Sequence, residues 1–357
     1  MRNRKLTAFL RKYPLIIKSG VIFAAILFAV LISGLLILLT GKDPVLAYRY
    51  FFYGVFGNIY GFGETLSKFI PLLCCALGFS ISQKSGFFNI GAEGQILVGG
   101  IATAACMLYF GGSLPTWLLL ILMFIVSAAA GAIWGVIPAV FKARFKTNET
   151  LFTLMMNYVA IQLTSFFVAK WENPYGSNTV GIINQMTKAG WFPSLLGQQY
   201  LLNVIIVLVL TVGMYMYLRY SKQGYEIAVV GESERTAKYV GINVRKVIMR
   251  TMTLSGAICG LAGFIAVAGA SHTISTSTAG GRGFTAIIVA WLAQFNAFIM
   301  ILVSVLLVFF EKGAIQIASQ YNLNDYASQM ITGIILFFIL GSEFFVNYRL
   351  VFRKNKG

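Results

Sequence analysis

The chain has 357 residues, of which 58% are hydrophobic, 15% aromatic and only 11% charged. A soluble domain carries roughly 25% charged residues, so the composition excludes a soluble enzyme, a disordered chain and a disulfide-stapled secreted domain, and leaves a polytopic membrane protein. The net charge of +17, from 28 Lys and Arg against 11 Asp and Glu, lies between apolar runs and reads as a topology signal facing anionic lipid rather than as a nucleic-acid surface.

A membrane span needs about 20 apolar residues. Runs of this kind lie near 20–40, 66–82, 91–110, 117–140, 150–169, 201–219, 247–269, 283–296, 297–311 and 326–346. They predict an all-α polytopic fold of about ten spans. The first run is too long for the apolar core of a signal peptide and no cleavage site follows it, so it is expected to be retained. The stretch 283–311 reads either as two short spans or as one span plus a re-entrant segment, with Asn296 at the break.

Charge orients the chain. With the N-terminus inside, the segments 1–18, 83–90, 141–149, 219–250 and 349–357 are internal and hold 21 of the 28 basic residues. That bias places both termini on the cytoplasmic side of the membrane. The expected organisation is a basic cytoplasmic N-terminus (1–19), a transmembrane domain (20–346) and a basic cytoplasmic tail (347–357). An external loop (170–200) is long enough to dock something outside. The longest cytoplasmic loop (219–246) contains Glu232–Tyr239, which reads as a short amphipathic helix preceded by Gly231 and ended by Gly241. Such a helix suits contact with a partner protein.

Polar residues inside spans are costly and mark candidate sites. Asn89, Glu93 and Gln95 cluster in FFNIGAEGQ, where glycines let backbones approach closely. Thr153, Asn157 and Thr164 share a helix face. Both groups read either as helix-packing contacts or as the wall of a substrate pathway. His272, the one histidine, lies in a small, polar stretch whose residues Ser271–Thr278 form either an outer loop or a pathway wall. SGFFNIGAEGQILVGG (85–100) and GGRGFTAIIVAWLA (280–293) each carry a glycine cluster, then Gly-Phe, then an apolar helix, a pattern that inverted repeats produce.

Several chemistries have no carrier in the sequence. There is no G-x-x-x-x-G-K-[ST], no HExxH and no zinc-type spacing among Cys74, Cys75, Cys106 and Cys259. The lone His stands beside no carboxylate that could complete a catalytic set. The chain is therefore expected to be a transport component that binds no cofactor or metal, rather than an enzyme.

Four ordered motifs, SGFFNIGAEGQILVGG, KARFKTNETLFTLMMNYVA (142–160), GYEIAVVGESERTAKYVGINVRK (224–246) and LSGAICGLAGFIAVAG (254–269), resemble the membrane subunits of bacterial ATP-binding-cassette importers. They resemble in particular the permease branch for branched-chain amino acids, ribose-type sugars and nucleosides. The likeness runs from about residue 60 to 340, and NIGAEGQ and TNE…MMNY are more similar to the nucleoside and simple-sugar permeases. It implies that Glu226, Gly231, Glu232, Ala237, Gly241 and Asn243, with Arg235 and Tyr239, form a coupling segment seated on a separate ATPase subunit that uses the ATP. It also implies a second, related permease, an external substrate-binding lipoprotein and a nucleoside cargo. A ribose- or galactose-like sugar carried by the same machine is the alternative; an ion-coupled secondary carrier is a more distant one. Related permeases often have Pro after the Asn of the 290s region, whereas here Ala297 follows Asn296.

Overall fold

In a computed structural model, residues 27–35, 37–39, 41–57, 59–195 and 200–347 are described. The basic segments 1–19 and 348–357 lie outside them. The described residues are helical, with no strand. The helices are α1 (Pro44–Phe56), α2 (Ile59–Lys84), α3 (Ala92–Phe110), α4 (Thr116–Phe145), α5 (Glu149–Lys170) and α6 (Leu201–Tyr220). They continue as α7 (Lys222–Glu232), α8 (Glu234–Tyr239), α9 (Val244–Ala266, extended by a π-helical turn Val267–Ser271), α10 (Arg282–Leu292), α11 (Ala297–Gln320) and α12 (Asp325–Asn347).

Seven of these helices, among the described residues, are long and apolar enough to cross a membrane. An eighth crossing results if Leu27–Leu39 and α1, bent by 117° relative to each other, are one span. Among the described residues the expected ten are therefore not all found. The run 20–40 falls partly outside the described residues. The run 283–296 holds only an 11-residue helix, α10. The described apolar part of α12, Tyr326–Gly341, is shorter than a span.

The 283–311 stretch resolves into a short helix followed by a long one. Gln294 and Phe295 take positive φ values of 49° and 57°, which ends the helical path. The Asn296 side chain then accepts the Phe298 N–H at 3.0 Å and caps α11. An Asn cap supplies the start signal that a Pro would otherwise give.

The chain forms two compact units, Leu66–Val305 on one hand, and Met1–Thr65 with Leu306–Gly357 on the other. In the latter, Asp43 caps α1 by accepting the Val45 N–H at 2.8 Å. Phe51 packs edge-on against Phe309 with ring centroids 5.1 Å apart, and buried Lys312 pairs with Glu64.

The unit Leu66–Val305 is built on α3, α4 and α9, which pack against one another. Their crossing is lined by glycine: a side chain at Gly131 or Gly260 would collide with the backbone of the facing helix. Lipid tails are as apolar as Leu and give helices no hydrophobic reason to associate, so close backbone packing of this kind holds the bundle together. Contacts define its two ends. At one end Asn184 donates to the Met107 carbonyl (2.8 Å), the Asn203 amide donates to the Gly269 carbonyl (3.0 Å), and Ile183 N–H donates to the His272 carbonyl (2.8 Å). At the other, Gly231 lies against the backbone of Lys84 and Gly86. The segments 83–90 and 219–246 thus share one end, while 171–195 lies at the opposite end.

Candidate functional site

The polar residues singled out in the sequence meet where α3 begins. Asn89 Nδ2 donates to Gln95 Oε1 and to Ser255 Oγ, each at 3.2 Å, while its Oδ1 accepts the Gly91 N–H at 3.0 Å. Asn157 Oδ1 accepts the Gly94 N–H at 2.9 Å and its Nδ2 donates to the Ile90 carbonyl at 3.0 Å. Thr153 Oγ1 accepts the Ile90 N–H at 3.2 Å. These side chains are buried, and their bonds satisfy a backbone that would otherwise enter the helix with orphan donors.

This start of α3 is deep within the bundle. Asn157, which reaches Gly94, lies eight residues into α5, about 12 Å from that helix's start at 1.5 Å per residue. Glu93, in the first turn of α3, carries the site further. Its Oε1 accepts the Gly281 N–H at 2.7 Å and its Oε2 accepts the Gly283 N–H at 2.8 Å. The two similar glycine motifs therefore touch, and the N-termini of α3 and α10 converge on one carboxylate. Both helix dipoles present their positive ends there, which favours the negative charge.

The path from His272 to this point is a second finding. His272 is fixed at the Met107 end, and Met107 lies fourteen residues along α3 from Glu93, about 21 Å away. In between, buried Ile274 sits beside Gly100, and buried Ala279 precedes the glycines. Residues 272–281 run alongside α3 in irregular conformation before α10 begins. Within Ser271–Thr278 only Ile274 is buried, while Ser271, Thr276 and Ser277 are exposed. Irregular backbone at such depth is tolerated only where protein buries it or a cavity adjoins it. The apolar run 283–296 thus holds a helix shorter than a span, preceded by irregular backbone.

His272 is not part of the Glu93 cluster. Its ring stacks on Trp191, with centroids 3.7 Å apart and planes 4° from parallel. Burial lowers its pKa from the ordinary histidine value. Thr164, also in the predicted polar face, bonds back to the Ala160 carbonyl of its own helix. Ser255 and Asn203 were not singled out in the sequence, and only the fold shows their partners, Asn89 and Gly269.

The segment 219–246 differs from the single short helix expected at Glu232–Tyr239. It forms two helices, α7 and α8, parted at Ser233. Ser233 accepts the Thr236 N–H at 3.3 Å and caps α8, which leaves Glu232 as the last residue of α7. Glu226 pairs with Arg250 of α9 at 2.9 Å, and Gly231 is pressed on the Lys84 carbonyl. Buried Ala237 anchors α8. Asn243 caps α9 by accepting the Lys246 N–H at 3.1 Å, and Gly241 takes the positive φ of 82° that turns the chain into it. Glu232, Arg235 and Tyr239 are exposed, Tyr239 to 92%. An anchored segment carrying exposed charged and aromatic side chains is a surface suited to a protein partner.

Comparison with known proteins agrees with this architecture. Residues 61–340 match the family described as branched-chain amino acid transport system / permease component. The guanosine ABC transporter permease protein NupP of Bacillus subtilis is 31% identical over 93% of this chain and 96% of its own. The glucose ABC transporter permease protein TsgB13 of Haloferax volcanii is 27% identical over 95% and 92%, and the nucleoside ABC transporter permease protein NupB of Lactococcus lactis is 28% identical over 88% of each. The chain is a multi-pass membrane protein that belongs to the branched-chain amino acid transport system permease family.

Proposed function

We propose that this chain is a permease subunit of an ATP-driven importer whose cargo is a nucleoside, with a purine nucleoside such as guanosine the first candidate. The observation that carries the cargo is the near full-length likeness to guanosine and nucleoside permeases. In this reading the exposed residues of α7 and α8 face a separate ATPase subunit, which binds and uses the ATP, and the chain holds no cofactor of its own. Gly231 and the Glu226–Arg250 pair transmit the ATPase's movement to α2 and α9. A second, related permease and an external binding lipoprotein complete the machine, with 170–200 as a docking surface for the latter. Both termini and α7–α8 face the cytoplasm.

Asn89, Glu93, Gln95, Thr153 and Asn157 act as positioning residues. They hold the converging helix starts and the irregular 272–281 wall that the cargo passes, and His272 marks the outer mouth. Binding along such a path must be weak enough for release, so selectivity belongs mainly to the binding lipoprotein. A sugar cargo is the second reading, favoured by the likeness to a glucose permease.

Uptake of labelled guanosine in cells lacking the chain, with and without the chain restored, tests the cargo. Restored uptake that excess ribose, galactose or glucose leaves intact supports the nucleoside. Restored sugar uptake without guanosine uptake moves the cargo to the second reading.

A further inference from the structure

A cavity of about 430 Å³ is lined by Lys84 at the end of α2, Tyr215, Leu218 and Arg219 at the end of α6, and Gln294–Ala297 at the break before α11. Two cations line it and no carboxylate does. Among the described residues Lys84 makes no ion pair, and Arg219 donates to the Tyr215 hydroxyl at 3.0 Å and lies over its ring. The remaining polar lining is amide, Gln294 and Asn296, and the latter caps α11. Lys142, Arg250 and Lys312, by contrast, each have a carboxylate within bonding range. A pocket that gathers two positive charges without neutralising them, beside a helix N-terminus, is matched to an anion with several acceptor oxygens.

We propose that this cavity is a binding site for a phosphoryl group, carried either by the headgroup of an anionic phospholipid or by free phosphate. Arg219, braced by Tyr215, offers a fixed donor fork, and Lys84 adds a mobile point charge from the facing helix. Basic pockets between helix ends are where anionic headgroups bind. The site lies at the end of the bundle where the Lys84 carbonyl meets Gly231, so an occupant would sit beside the segment assigned to the ATPase.

The test uses the purified full-length chain and its Lys84→Gln, Arg219→Gln and Lys84→Arg variants, each checked for an unchanged melting temperature and elution volume. Native mass spectrometry from mixed phosphatidylglycerol and phosphatidylcholine nanodiscs reads lipid retention, and calorimetric titration with inorganic phosphate reads the free anion. Selective phosphatidylglycerol retention that falls about tenfold in each Gln variant and persists in Lys84→Arg identifies the headgroup. The same pattern in the phosphate titration alone identifies free phosphate. Absence of both, or binding that survives both Gln substitutions, overturns the site.

Discussion

Glu93 and Gly283 fit one another in two ways. The Glu93 carboxylate accepts the Gly283 N–H at 2.8 Å, and the space where a Gly283 side chain would stand is filled by the backbone of Glu93. One contact joins the start of α3 to the start of α10.

Glu93→Gln leaves one acceptor oxygen where two N–H groups need partners. The loss is about 1–3 kcal/mol and should appear as a lowered melting temperature of the detergent-solubilised chain, with slowed uptake. An unchanged melting temperature with abolished uptake would instead assign Glu93 to the cargo.

Gly260→Val places two methyl groups into the backbone of α4. Overpacking of a tight crossing costs about 1–3 kcal/mol, and more where the obstacle is main chain. The variant should fail to accumulate in the membrane, as read by immunoblot of membrane fractions, whereas an alanine at Gly213, where nothing lies within 4 Å, should accumulate normally.

Gly231→Ala pushes a methyl group into the Lys84 carbonyl. The span cores are untouched, so membrane levels should hold while uptake falls at least about tenfold, the loss expected when a transmitted movement goes out of register by an ångström. Normal uptake in this variant would remove the coupling role of the α7–α8 segment.

His272 gives a pH dependence with a definite sign. Burial depresses its pKa, so the folded chain takes up its proton less readily than the unfolded one. The corresponding stability is complete above the unfolded value of about 6.5 and is lost as pH falls through the folded value. The melting temperature should therefore drop more steeply on acidification below about pH 6.5 than it does in His272→Phe, which keeps an aromatic ring against Trp191. Parallel profiles would contradict this.

Much of the fold is legible in the sequence because the spans from 66 to 269 are long apolar runs, and a run of that length has one solution in lipid. The likeness across residues 60 to 340 was legible for a different reason: four motifs kept their order. What was not legible depends on tertiary contact. Glu93 was visible as a costly polar residue, and the GGRG motif as its distant relative, yet nothing in either shows that one caps the other. That residues 272–281 lie alongside α3, with Ile274 beside Gly100, is likewise a tertiary fact that the polar stretch does not show. The break at Ser233 was readable in principle, since Ser followed by Glu234 is a helix-start signal, but the continuous amphipathic pattern of Glu232–Tyr239 masked it.

The central claim is that ATP binding by a partner subunit drives a nucleoside through this chain. The most direct test is guanosine accumulation in proteoliposomes containing the complex that co-purifies with the tagged chain, supplied with its binding lipoprotein. Accumulation that requires hydrolysable ATP, is unaffected by collapse of ion gradients, and is lost with Gly231→Ala is the expected result. Accumulation driven by an ion gradient without ATP would contradict it.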